Sequence, residues 1–142
     1  MAKMQWDDSL SIGIELIDGQ HKKWISHLNN VSVAIESRRG PAHIAKTLGF
    51  LVDYTGVHFS TEERHMTENS FPGLDHHKMK HEELRGTLYN LVQDFEEEGA
   101  TQALADSIDT FLGNWLANHI REVDMQFGAF VKEEGIVLSE EP

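Results

Sequence analysis

Seven residues able to ligate a metal recur at helical spacing: His21, then His58 with Glu62, then His77 with His81, then His119 with Asp124. The spacings are H-x-x-x-E, H-x-x-x-H and H-x-x-x-x-D, each inside a separate amphipathic stretch. In the first two, side chains one helical turn apart share a face. Imidazoles mixed with hard carboxylates suit iron or manganese better than structural zinc. A single histidine on an apolar face is more often a satisfied core residue than a ligand. Seven such groups on the inward stripes of four helices would leave several buried polar atoms without partners unless a cation sat among them. A metal site is therefore expected.

The number of ligands suggests what that site does. Two carboxylates lying between opposite pairs of helices can each bridge two metals, and five imidazoles then divide three and two. With one bridging oxygen from solvent added, one metal reaches six ligands and the other five. The open position takes a small ligand. Its neighbours by helical spacing are Trp24, Ile25, Phe59, Trp115 and Leu116, an apolar lining without a general acid or nucleophile. No catalytic residue is expected, and reversible binding of a small apolar molecule is.

Four helices must position these groups, because Gly40-Pro41, Phe71-Pro72-Gly73 and Gly99 interrupt otherwise long periodic segments. The first is expected from Asp18, as N-cap, to about Arg39, with Ile17, His21, Trp24, Ile25, Leu28, Val31 and Ile35 along one stripe. The second begins at Pro41 and carries Ile44, Leu48, Leu51, Thr55, His58 and Glu62 inward. The third, about Asp75 to Glu97, has His77, His81, Leu84, Leu88, Leu91, Val92 and Phe95. The fourth, about Thr101 to Lys132, has Leu104, Ile108, Phe111, Leu112, Trp115 and His119. In front of them Leu10, Ile12, Ile14 and Leu16 alternate with other residues, which predicts an extended arm pinned by Trp6.

The expected fold is all-α, an up-down-up-down four-helix bundle in a single domain over 1–142. The arm takes 1–17, the bundle about 18–132 and a polar tail 133–142. One spacing strains it. His119 and Asp124 are five residues apart, and at ~100° per residue they diverge by roughly 140°, so only a wide face or a local π-bulge brings both to one point.

Composition narrows the function classes. A formal net charge of -12 repels nucleic acid and anionic membrane. Cysteine is absent, which excludes disulfides, iron–sulfur clusters and thiolate-ligated haem. Met1 to Leu10 holds no apolar leader, and no apolar run approaches the ~20 residues of a membrane span. A cytoplasmic monomer is expected.

The arrangement resembles the hemerythrins, and among them the single-domain bacterial members, over nearly the entire chain. The resemblance is carried by Trp6, Gly13-Ile14, Ile17-Asp18-Gly19-Gln20-His21, His58-Phe59-Ser60-Thr61-Glu62-Glu63, Phe71-Pro72-Gly73-Leu74 before His77 and His81, and His119-Ile120 with Asp124, Phe127 and Phe130. It implies two iron ions, cycling between Fe2+ and Fe3+ under an oxo or hydroxo bridge. His77, His81 and His119 would hold the saturated iron and His21 and His58 the five-coordinate one, with Glu62 and Asp124 bridging. It further implies reversible binding of O2 at the open iron, for storage, transport or delivery to an oxygen-requiring enzyme, with Trp115 and Leu116 at pocket-lining positions.

Some residues depart from that pattern or compete with it. Met125 and Gln126 stand where relatives often carry a basic residue. His65 is seven residues beyond His58, on nearly the same face, and is a rival ligand, a group supporting a ligand, or a histidine near a frayed helix end. His76 precedes His77, but the i,i+4 pair with His81 favours His77. His27 and His43 are expected at the surface. A ferritin-like di-iron enzyme needs two Glu-x-x-His strings, and only Glu62-Glu63-Arg64-His65 is present. A zinc protease needs a glutamate between His77 and His81, where Lys78, Met79 and Lys80 stand. Within the family, a sensor acting through a partner, or a redox enzyme acting on peroxide, nitric oxide or ferrous iron, is the alternative, with Glu122 and His65 as its only candidate proton donors.

Overall fold

The computed structural model describes residues 5–138, and all regular structure among them is helical. The chain forms α1 (Glu15–Glu36), α2 (Pro41–Glu68), α3 (Leu74–Glu98), and a fourth rod. The rod is built from α4 (Gln102–Asp106), a π-helical segment (Ser107–Leu112), α5 (Gly113–Asn118), a second π segment (His119–Asp124) and α6 (Met125–Glu133). Backbone angles at every joint of the rod stay in the right-handed helical region, so it is one continuous helix with two locally widened turns. Each long helix packs on its chain neighbour, and the rod closes the ring against α1. The ligand-type residues lie near the start of α1 and α3 and towards the end of α2 and the rod, so successive helices run in opposite directions, which is the expected up-down-up-down bundle.

Helix limits follow local chemistry. Pro41 opens α2, where its missing N–H costs nothing. Thr101 caps the rod by accepting from the Leu104 N–H at 3.1 Å. The rod ends in a Schellman turn: Gly135 takes φ +65°, and the N–H of Ile136 donates to the Val131 carbonyl at 3.0 Å. Ile136 and Leu138 then pack back on the core, so the segment expected as a polar tail from 133 is partly apolar and docked. Residues 139–142 of that tail, and residues 1–4 of the arm, lie outside the described residues.

The arm departs from its expected form in two ways. Asp18 does not cap α1, which starts three residues earlier and takes Leu16 into the helix. Its carboxylate instead fastens the arm, accepting from the Ser11 hydroxyl at 2.6 Å and the Ile12 N–H at 2.9 Å. A single 3-10 turn, Asp8–Leu10, interrupts the extended run. Leu10, Ile12 and Ile14 are nonetheless buried as their alternation predicts, and Trp6 is half-buried with the Lys22 ammonium over its ring. The arm crosses the second π segment, where Arg121 donates to the Ser9 hydroxyl at 2.9 Å, and its backbone passes against Gly128.

The inward stripes are as expected in α1, α2 and α3. The fourth differs at Phe111, which is 52% exposed while Ile108 and Leu112 beside it are buried. The first π segment causes this, because an extra residue wound into one turn must face outward if the residues on either side keep their register.

Candidate metal centre

Each of the seven residues comes from a different turn, and the bundle brings all of them together. His21, His58, Glu62, His77, His81, His119 and Asp124 are all buried, with Glu62 and Asp124 wholly so. They form two overlapping groups of potential ligands. One is Glu62, His77, His81, His119 and Asp124; the other is His21, His58, Glu62 and Asp124, with the donor atoms of each within 4.8 Å of one another. Three imidazoles thus fall in one group and two in the other, and both carboxylates belong to both groups, which is the arrangement bridging requires.

The second π segment makes this possible on the fourth rod. His119 and Asp124 are its first and last residues, and i→i+5 winding brings residues five apart back over one another. Nε2 of His119 stands 3.1 Å from Oδ1 of Asp124. Of the two solutions open at the sequence level, the π-bulge is the one adopted.

The geometry can be tested against a resident cation. Among the described residues, every buried side-chain nitrogen or oxygen without a hydrogen-bond partner belongs to six of these seven residues, except Oδ2 of Asp109. Both oxygens of Glu62 and the Nε2 atoms of His21, His58, His81 and His119 are among them. Several lie close together, as with His21 Nε2 and Asp124 Oδ2 at 2.9 Å, or His81 Nε2 and Glu62 Oε1 at 3.1 Å, yet they are not aligned as hydrogen bonds. Buried ring nitrogens and carboxylate oxygens that converge without hydrogen-bond partners are what a metal pair satisfies, and leaving so many orphaned in an apolar core costs about 1–3 kcal/mol each. The residues fit two cations.

Charge in the metal-free site is arranged to match. Burial opposes ionisation of Asp124, but His119, His21 and His77 hold its carboxyl well below the usual range. Burial and Asp124 likewise oppose ionisation of Glu62, while His58, His77 and His81 bring it down to about 2. Burial pushes His58 down to about 3, so its ring is neutral. Burial also works against protonation of His77, but Asp124 and Glu62 overcome it and raise the group to about 9. Its Nε2 therefore carries a proton, donated to Asp124 Oδ1 at 2.6 Å. Two ionised carboxylates, the neutral ring of His58 and a proton on His77 that a metal would displace make a site suited to a divalent cation.

Two residues orient ligands by hydrogen bonds and were not evident from spacing. Gln20 Oε1 accepts from Nδ1 of His58 at 2.7 Å, and Glu63 Oε2 accepts from Nδ1 of His81 at 2.6 Å. Each fixes the tautomer that turns an unprotonated Nε2 towards the centre. Both adjoin a candidate ligand in sequence, Gln20 beside His21 and Glu63 beside Glu62, and both stand inside the strings that carry the resemblance.

Aromatic rings wall the centre. Phe59 stacks on His81 at 3.7 Å between centroids and 7° between planes, Trp115 stacks on His119 at 4.6 Å and 11°, and Trp24 lies 4.9 Å from His58. One turn further into the bundle is a small cavity of about 10 Å³, lined by Trp24, Leu28, Leu51, Thr55, Leu84, Leu88, Leu112 and Leu116. That is room for roughly one water-sized molecule. Trp24, Thr55, Leu84 and Leu116 sit three residues from His21, His58, His81 and His119, so the cavity lies about one turn from the histidine layer on all four helices. Of the expected lining, Trp24 and Leu116 face this cavity; Phe59 and Trp115 cover histidines instead, and Ile25 is buried in the core. The added leucines lie at ligand-relative positions of three or seven, a signal hidden because core leucines occupy the same positions. Thr55 is the cavity's polar group, and its hydroxyl is engaged, accepting from Trp24 Nε1 at 2.9 Å and donating to the Leu51 carbonyl at 2.7 Å.

The competing histidines fall away from the centre. His76 and His43 are exposed, and His27 packs beside Tyr54 and Phe50. His65 is buried, contrary to a place at a frayed end, because α2 continues to Glu68, but it belongs to neither ligand group. Glu122 is exposed.

The model of the hemerythrin HHE cation binding domain matches residues 12–131. The chain is 36% identical over 132 residues, 93% of its own length and 84% of the relative's, to a bacteriohemerythrin of Stenotrophomonas maltophilia. It is 31% identical to a bacteriohemerythrin of Methylococcus capsulatus, over 90% of this chain and 96% of that one. A wild-type hemerythrin crystal structure superposes with a TM-score of 0.79 at 28% identity, covering 90% of this chain and 97% of that chain. With the ligand geometry, the wall of aromatics and these likenesses in agreement, the chain belongs to the hemerythrin family, whose members hold a non-haem di-iron centre.

Proposed function

We propose that this chain binds O2 reversibly at a pair of irons held by His21, His58, His77, His81 and His119 and bridged by Glu62 and Asp124, and that it stores oxygen or delivers it to oxygen-consuming enzymes. When bound, ferrous iron at this site supplies the electrons that hold dioxygen. The chain's own part is to divide the imidazoles unequally, three against two, and so leave one coordination position for the ligand. The observation that carries the reading is the division of the candidate ligands, three imidazoles in one group and two in the other with both carboxylates shared, beside a small, mostly apolar cavity one turn away.

Binding without turnover is supported by the lining. Seven of its side chains are apolar or indole, and Thr55 has its proton committed to Leu51. No group among them is placed to donate or take a proton at pH 7. Of the described helices, none is long and apolar enough to cross a membrane. A cytoplasmic location, and a monomeric state, go with this reading and with the absence of cysteine.

The test is an anaerobic optical titration of iron-loaded, chemically reduced protein with oxygen, followed by oxygen removal, with iron determined on the same sample. An absorption band that appears with oxygen and disappears on its removal, at two irons per chain, is the expected result. Immediate irreversible oxidation would overturn storage and delivery in favour of a redox enzyme.

A further inference from the structure

Five histidines aim at the centre, but their outward nitrogens are not treated alike. His21 and His119 have Nδ1 buried with no hydrogen-bond partner. His58 donates from Nδ1 to a neutral amide, Gln20, and His81 donates from Nδ1 to a carboxylate, Glu63. The two acceptors serve different ligand groups. His81 belongs to the group of three histidines and His58 to the group of two.

A carboxylate draws the Nδ1 proton more strongly than an amide does, which raises the basicity of Nε2 and pushes electron density towards whatever cation Nε2 holds. Glu63 does this at 2.6 Å from a side chain only 19% exposed, where solvent screens the effect little. We infer that Glu63 and Gln20 are positioning residues that make the two metal positions unequal in reduction potential. Glu63 renders the three-histidine position the more easily oxidised, and Gln20 keeps the two-histidine position, which has the open site, the more easily held ferrous. The consequence would be a pair in which the three-histidine position gives up its electron more readily than the position with the open site.

The placement supports a paired role. Gln20 on α1 reaches across to α2, and Glu63 on α2 reaches across to α3, so each partner is held by the backbone next to one ligand while acting on a ligand of the following helix. Exchanging the two acceptor types is therefore a near-isosteric change that leaves all seven ligands untouched.

The inference rests on the di-iron reading, and the experiment separates the two. Wild type, Glu63→Gln and Gln20→Glu are loaded with ferrous iron, iron per chain is counted, and each is titrated potentiometrically with ferricyanide as the one-electron oxidant. With two irons per chain, Glu63→Gln should raise the potential of the first oxidation, changing its equilibrium constant about tenfold, or ~59 mV for one electron. Gln20→Glu should lower the potential of the second by a similar amount, narrowing the separation between the two. Potentials within error of wild type at full iron loading would overturn the inference and leave the site assignment standing; wild type that fails to hold two irons would overturn the assignment itself. Where Glu63→Gln loads poorly, nitrogen NMR of the zinc-loaded protein provides the second measurement. The His81 Nδ1 resonance should lie nearer the imidazolate position than that of His58 in wild type, and equal positions would refute the asymmetry.

Discussion

Nε2 of His119 and Oδ1 of Asp124 stand 3.1 Å apart although five residues separate them, because the turn between them is wound as a π-helix. A regular α-helix would splay the pair by roughly 140° and send one of them to solvent. The wide turn is therefore part of the candidate metal site, and the arm residues Asp8–Leu10 pack across it.

That turn can absorb one extra residue and no more. Inserting an alanine between the exposed Arg121 and Glu122 would separate the ligands by six, which at ~100° per residue leaves them about 120° apart. Iron per chain, measured on purified reloaded protein with retained helical circular dichroism, should fall from two to one or none. Two irons in the insertion variant would show that the pairing does not depend on the π turn.

Removing a bridge and removing a terminal ligand should have different consequences. Glu62→Ala takes a carboxylate from both ligand groups, so iron content should drop to one or none. His58→Ala takes a ligand from the two-histidine group alone and should abolish reversible oxygen binding. Iron counting beside oxygen titration distinguishes them. Normal iron content with normal oxygen binding in His58→Ala would refute its assignment.

Loading the site should release a proton near neutral pH. His77 is raised from 6.5 to about 9 in the metal-free protein by Asp124 and Glu62, against the cost of burial, and its proton sits on the Nε2 that a metal would take. Because the folded value lies above the unfolded one, this ion pair stabilises the metal-free fold fully below pH 6.5. That contribution is lost as pH rises through about 9. Metal binding runs the other way, its apparent affinity rising about tenfold per pH unit up to that point for the one proton displaced. Calorimetric zinc titrations at pH 7.5 in two buffers of different ionisation heat should report the released proton, and identical heats would contradict it. Chelation of the metal at fixed pH should lower the melting temperature by on the order of 10 °C, given about 4 kcal/mol of linkage at a thousandfold excess over Kd and ~2–4 °C per kcal/mol.

Gly128 should not tolerate a side chain. A Cβ there would collide with the backbone carbonyl of Ile12, which cannot give way without lifting the arm. Gly128→Ala gains about 1 kcal/mol of helix propensity. It risks about 1.5–3 kcal/mol for each of Leu10, Ile12 and Ile14 returned to water. The loss outweighs the gain. The expected result is a lower melting temperature and faster proteolysis within residues 5–14, with iron content near two. An arm as resistant as that of wild type would mean that the contact is slack.

Spacing within single helices was enough to single out most of the candidate ligands, because a period of 3.6 residues decides by itself which side chains share a face. His58 with Glu62 and His77 with His81 needed nothing beyond that, and the apolar stripes around them predicted where each helix turns its histidines inward. The burial of Leu10, Ile12 and Ile14 was legible for the same reason, in a period of two. Contacts between helices left no such trace. Asp18 looked like a cap and became the anchor of the arm; Phe111 belonged to a stripe and was turned outward by a π turn with no signature in the sequence. The Gln20 and Glu63 hydrogen bonds, and the cavity one turn beyond the histidines, depend on distances between side chains remote along the chain. Periodicity specifies direction about one helix axis, whereas the packing of four axes decides which atoms meet. The sequence by itself therefore determined the bundle and the candidate ligands that it brings together, and the tertiary structure alone decided the orientation of the imidazoles, the winding at Asp124 and the cavity beside them.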